Sequence, residues 1–230
     1  VIIGNVREAY AVRAAKQLFG SWRKADKLIS PTFRQPEPVD TKILVVDMPG
    51  AETSEIRLAV RGLARNDKDL MAANFWTGIM EARMRAGMPA NLQKRFSLRH
   101  TTNALPGIFI ISASVPTEKT GETLKSLREQ ILKAAGEKLN QAEFARNQQA
   151  AVQAIKERAA VPGELAGLWF NSDTFKTPNF REVLNMAQTV TISDAERVAA
   201  RLFKDAPVAV VIIGNAEQIQ PQLDGLEAKK

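Results

Sequence analysis

The sequence predicts an α+β fold of two layers, a largely antiparallel sheet of about five strands with most helices packed on one face. Short β-branched runs recur at 43–46, 56–60, 107–115 and 208–213, and apolar residues at helical spacing fill the stretches between them. The composition, 45% hydrophobic and 25% charged over 230 residues, is that of a globular protein with enough chain for a full core.

Taken in order, Val1-Ile2-Ile3 reads as a strand ended by the turn Gly4-Asn5. Val6, Tyr10, Val12, Ala14, Leu18 and Phe19 then predict a helix that stops at Gly20. From Ser30 to Asp40 three prolines, Pro31, Pro36 and Pro38, resist regular structure, so this stretch reads as a linker. The chain is thereby expected to divide into residues 1–29, a strand and helix left over from a preceding domain, a linker over 30–41, and a domain over 42–226.

Within that domain Ile43 to Val46 predicts a buried strand running into the turn Asp47-Met48-Pro49-Gly50. Ile56, Leu58 and Val60 alternate with Glu55, Arg57 and Arg61, a strand with one polar face. Such a strand lies either at a sheet edge, where a peptide can add through backbone hydrogen bonds, or inside with one wet face. Asn66 or Asp67 is placed to cap the next helix, whose apolar face is Leu70, Met71, Phe75, Ile79 and Ala82 and which ends near Gly87 and Pro89. A weak signal over 96–102 and a clear strand over 107–115 flank Leu105-Pro106-Gly107 and predict a hairpin.

Leu124, Leu127, Ile131 and Ala134 mark one helix. Asn140-Gln141-Ala142-Glu143, at capping-box spacing, starts another with Phe144, Gln148, Ala151, Val152, Ile155 and Ala159 inward. Shorter helices are expected around Leu165 to Phe170 and around Phe180 to Ala187. Ser193-Asp194-Ala195-Glu196 reads as a second capping box before Val198, Ala199 and Leu202. Pro207 gives way to the strand Val208 to Ile213, and the tail from Gln218 reads as a frayed helix. Large apolar residues at helical spacing are usually core, so Trp76 and Trp169 are expected inside.

The composition excludes several functions. No apolar run approaches the ~20 residues of a membrane-spanning helix, and the opening Val1 to Asn5 shows neither a basic start nor a cleavage site, so no signal peptide is visible. The absence of cysteine removes disulfides, thiolate metal sites and cysteine nucleophiles. With His100 the only imidazole, a His-rich zinc site or a Ser-His-Asp triad has too few members, and His100 beside Thr101 and Thr102 reads as structural. The net charge of +7 is spread along the chain. Arg83, Arg85, Lys94, Arg95 and Arg99 form a local cluster, but only Phe96 interleaves with it, so nucleic acid is not an expected partner.

An internal echo adds to this: Val1-Ile2-Ile3-Gly4-Asn5 reappears as Val211-Ile212-Ile213-Gly214-Asn215. The first copy precedes the linker and the second closes the domain, as expected if the chain begins inside the last βα unit of one repeat and contains the next.

This order of elements, with several local phrases, resembles the C-terminal half of pitrilysin-type (insulinase-like) zinc metallopeptidases, the group that includes mitochondrial processing peptidase. The phrases are Leu18-Phe19-Gly20-Ser21-Trp22 before the linker, then Val45 to Ala51, Ser54 to Leu58 and Ala64 to Asp67, and later Pro106 to Phe109, Ser112-Ala113 and Val210 to Gly214. The family's inverted His-x-x-Glu-His zinc motif needs two histidines and lies in the N-terminal half. The resemblance therefore implies a non-catalytic half with no catalytic or metal-binding residue of its own, closing over a zinc-bearing partner half and helping to hold an extended peptide. The zinc would sit in that partner.

The resemblance also implies a substrate-touching Arg followed by a Gly-Leu-Ala-Tyr-like phrase. Arg83 and Gly87 match the Arg and Gly, the Tyr position falls on Ala90, and the only Tyr is Tyr10. Arg83 is thus the one candidate substrate-binding residue. The alternative expectation is a purely structural subunit of a larger assembly, as in relatives within respiratory complexes, and a dimer is compatible with either. Exported bacterial members suggest the periplasm, with the cytoplasm as the alternative.

Overall fold

In the computed structural model, which describes residues 1–23, 34, 42–204 and 206–226, five strands form one sheet. They are β1 (Ile43–Asp47), β2 (Thr53–Arg61), β3 (Phe96–Thr101), β4 (Ile108–Pro116) and β5 (Ala209–Gly214), in the order β1-β5-β2-β4-β3. β2 pairs antiparallel with β4 and with β5, β3 pairs antiparallel with β4, and only β1 and β5 run parallel. The α+β expectation and the largely antiparallel sheet hold.

β2 settles the question its polar face left open. Strands bond to both its sides, so it is interior, and among the described strands β1 and β3 are the outermost. Its alternation has the cause the sequence suggested. Ile56, Leu58 and Val60 join Val210, Ile212, Phe109, Ile111 and Leu98 on the buried face, whereas Arg57 and Arg61 are exposed on the other.

The helices that cover the buried face are α2 (Leu70–Ala86), α4 (Thr120–Gly136) and α8 (Ile192–Phe203). α2 packs on β3 and α8, and α4 packs on β2, β4 and α8. α5 (Gln141–Ala160) rests on α2, and α6 (Pro162–Phe175) and α7 (Phe180–Thr189) rest on α5. Two short pieces complete this part, α3 (Ala90–Gln93) and α9 (Ala216–Ile219), the latter continued by a 3-10 turn over Gln220–Leu223. None of the described helices is long and apolar enough to cross a membrane.

β1 is not the buried strand the sequence predicts, because in this outermost strand Leu44 and Val46 are exposed, and α2 has its N-cap at Asp69 rather than at Asn66 or Asp67. Further expectations also need correction. Val1 to Ile3 join no described strand, since three β-branched residues make a ladder only against a neighbour. The helix that follows, α1 (Glu8–Phe19), forms but buries none of its residues. α8 is capped at Thr191 rather than Ser193: Asp194 and Thr191 exchange the capping-box bonds, while Glu196 accepts from Lys138 Nζ at 2.8 Å and Leu139 N–H at 2.9 Å. Over its described residues, 218–226, the tail is packed rather than frayed, with Ile219 fully buried. Trp169 is 40% exposed on α6, against 3% for Trp76 on α2. The Pro-rich linker, apart from Arg34, and the side chain of Ala134 lie outside the described residues.

The hairpin between β3 and β4 depends on Gly107. Its carbonyl accepts from Gly62 N–H at 2.8 Å and its N–H donates to Leu63 at 3.0 Å, while a Cβ there would collide with the Thr101 carbonyl. The turn after β5 is likewise fixed, because Gly214 accepts from Met48 N–H at 2.7 Å and Asp47 accepts from Ala216 N–H at 2.9 Å.

Candidate functional site

Arg83 lies in the last turn of α2 and points at the start of α5. Its Nε donates to both Glu143 carboxylate oxygens at 2.9 and 3.1 Å, and Nη2 donates to Oε2 of the same residue at 2.6 Å. Longer contacts at 3.4 Å reach Glu137 and the Lys138 carbonyl. Glu143's hydrogen bonds, opposed by burial, push the Arg83 pKa further up. The same pairing explains a half-formed cap: Asn140 accepts from Ala142 and Glu143 N–H groups, but the Glu143 carboxylate turns to Arg83 rather than back to Asn140.

This fork-like, partly buried pair joins two helices across 60 positions of sequence. A double-mutant cycle with Arg83→Ala and Glu143→Ala is expected to show a coupling on the order of 1 kcal/mol in urea unfolding. Coupling within about 0.3 kcal/mol of zero would show that the pair does not hold the helices together.

Gly87 ends α2, donating to the Arg83 carbonyl at 3.1 Å, and Ala90 opens α3. The position matched to the family's Tyr is thus the first residue of a one-turn helix. The Gly87-Met88-Pro89 connection forms one wall of a groove of about 470 Å³, whose far wall is α4. Arg85 beside it bonds to the Gln93 carbonyl and to Glu81 at 2.6 Å, so it stiffens this wall.

His100 is structural. Leu63 N–H donates to its Nε2 at 3.1 Å, which places the proton on Nδ1, facing Asn74 Oδ1 at 3.0 Å. Its ring stacks on Phe109 at 4.0 Å, and burial pushes its pKa down to about 4, so it is neutral near pH 7. Among the described residues no group of three or more His, Asp or Glu side chains is placed to hold a metal ion.

Sequence reasoning missed the most developed charge cluster. The Asp69 side chain, 5% exposed at the start of α2, accepts from Arg197 at 2.9 and 3.0 Å and from Arg201 at 2.6 Å. Arg197's hydrogen bonds are the main reason its pKa is lowered, against the opposing effect of burial. A carboxylate so held stays ionised and is no general acid near neutral pH. The available signal was the spacing of Arg197 and Arg201, four apart on one helix face, but nothing in the sequence names the acid they meet.

The description "Peptidase M16 inactive domain" matches residues 1–151. The chain belongs to the peptidase M16 inactive-domain family. Among curated proteins none matches. Solved structures share the fold at low identity. The peptidase M16 inactive domain from Pseudomonas fluorescens is 16% identical with a TM-score of 0.78, over 92% of this chain and 52% of that one. A protease from Helicobacter pylori is 18% identical with a TM-score of 0.74, over 92% and 54%. The periplasmic protease PqqL from Escherichia coli is 16% identical with a TM-score of 0.75, over 92% and 24%.

This M16 inactive domain therefore spans about half the length of the first two neighbours and a quarter of the third. The His-x-x-Glu-His zinc motif needs two histidines, and the chain has one.

Proposed function

We propose that this chain is the non-catalytic half of a pitrilysin-type zinc metallopeptidase, which helps to enclose and bind an extended peptide for a zinc-bearing partner half. The family match carries the reading. Two features of the chain support it. Val1 to Asn5 repeats the Val-Ile-Ile-Gly-Asn phrase of 211–215 and a helix follows each copy, yet α9 buries Ile219 completely while α1 buries nothing. In this reading residues 1–29 are the last βα unit of the preceding half, 30–41 the linker and 42–226 the inactive domain, so the apolar residues of α1 pack on that other half. Zinc and the general base come from there.

Arg83 meets a substrate carboxylate in this scheme only by giving up Glu143. That favours, as the second reading, a structural subunit without peptide contact, in line with Ala90 at the Tyr position and with a neighbour in complex III from Candida albicans, 12% identical with a TM-score of 0.69 over 96% of this chain and 56% of that one. The periplasmic neighbour supports an exported location.

The deciding experiment combines this chain with the His-x-x-Glu-His-bearing chain encoded upstream or alongside it and follows cleavage of a fluorogenic extended peptide. The proposal expects a lower KM for the pair than for the zinc-bearing half alone. Equal KM and kcat with and without this chain would leave the structural subunit.

A further inference from the structure

We infer that the groove between the Gly87–Pro89 connection and α4 takes one bulky apolar side chain of an extended peptide, with a basic residue beside it in the peptide sequence. The inference rests on the peptide-binding reading above and adds a place and a preference to it.

The groove has a structural cause. β3 has six residues and β4 nine, and their pairing ends at Phe96 with Ala113. Val115 and Pro116 at the end of β4 therefore lack a β3 partner, and α4 and the 87–92 segment stand on either side of this strip. Phe96, Val115 and Leu127 close the bottom and are themselves buried, so the apolar surface the groove offers comes from Met88 and Leu92 at the side and Pro116 at the end. The volume of about 470 Å³ falls in the range of small-ligand pockets, about 300–1,000 Å³. That leaves room for a bulky aromatic or branched side chain together with the peptide backbone beside it, and an unbranched Met wall adapts to its shape.

The rim sets the charge. Glu118, Lys119 and Glu122 surround the mouth. Lys119 pairs with Glu122 at 3.1 Å, while Glu118 has no ion-pair partner among the described residues. With Glu122 paired, Glu118 is the one unpaired charge among the residues that line the mouth. Apolar walls with an unpaired carboxylate at the lip complement an apolar side chain next to Arg or Lys, and disfavour one next to Asp or Glu.

The test measures fluorescence anisotropy of three labelled decapeptides on the full chain: one with Phe between two Arg, one with Ser between two Arg, and one with Phe between two Glu. The Arg-Phe-Arg peptide is expected to bind best. Exchanging Phe for Ser weakens binding by at least about tenfold, and exchanging Arg for Glu by about threefold or more. Ser126→Trp, at an exposed α4 position on the groove wall, removes the preference for Phe, and Glu118→Lys reverses the preference for Arg over Glu. Unchanged melting curves verify that both variants fold.

If the Arg-Phe-Arg peptide binds wild type and Ser126→Trp equally, the groove assignment is wrong while peptide binding by the chain stands. If none of the three binds wild type, the groove assignment is likewise wrong, and the cleavage experiment with the zinc-bearing half decides the broader reading alone.

Discussion

Phe109→Ala is expected to lower stability by about 3–5 kcal/mol, and Tm by on the order of 10 °C for a chain of this size. Phe109 is 2% exposed and sits where four elements converge. Its ring stacks on His100 of β3 at 4.0 Å, and lies edge-on to Phe203 of α8 at 5.0 Å and to Trp76 of α2 at 6.4 Å. Trp76 and Phe203 in turn stack at 4.2 Å. Truncation removes the transfer free energy of a full aromatic ring and leaves a cavity whose walls belong to a sheet and two helices. Those walls cannot close without moving the β3–β4 ladder, so the cost belongs at the upper end for its type. Trp169→Ala provides the contrast: at 40% exposure it is expected to change stability by under about 1 kcal/mol. Urea unfolding of both variants checks the pair, and a Phe109→Ala cost below about 1 kcal/mol would show that the aromatic cluster does not organise this core.

These two residues also show what is legible in a sequence of this kind. Phe109 follows the Leu105-Pro106-Gly107 turn in a strand with a clear inside and outside, and period two decides its side. Trp76 and Trp169 present the same local signal, a large ring at helical spacing, yet only Trp76 is core. The difference is what lies opposite: α2 packs directly on β3 and α8, whereas α6 stands on α5, one layer further from the sheet. Helix layering follows from tertiary packing, which periodicity does not encode. For the same reason the alternation of Glu55 to Arg61 establishes a strand with one wet face and leaves its place in the sheet open. That place is fixed by β4 and by β5, whose residues lie about 150 positions away in the chain.

The candidate site divides along the same line. The family's phrases locate Arg83 and Gly87, and His100 as the lone imidazole is enough to exclude a zinc motif. That Glu143 holds Arg83 in a three-bond fork depends on how α5 lies across α2. The groove beside Gly87 exists because β4 outruns β3, a register fact, and Glu118 reaches its lip only once α4 is laid over the sheet.

Asp69→Ala is expected to cost about 2–4 kcal/mol at pH 7. The carboxylate is nearly buried and takes three hydrogen bonds from Arg197 and Arg201, which are 128 and 132 residues away. It therefore ties the first turn of α2 to α8, the two helices that enclose Trp76 and Phe203. Because both guanidiniums are half-exposed, water can solvate them after the change, which keeps the cost below that of an orphaned buried charge. The pH dependence has a definite sign. Arg197, and then Arg201, hold the folded-state pKa of Asp69 below its ordinary value of 3.8, so its contribution is complete above that value and disappears as pH falls through the lower, folded-state pKa. The stability difference between wild type and Asp69→Ala should accordingly be flat from pH 7 down to about 5 and shrink below about 4. Unfolding curves at pH 7, 5, 4 and 3 measure it. A difference that does not change with pH would mean that the carboxylate's charge, and hence its pairing with Arg197 and Arg201, does not hold α2 against α8.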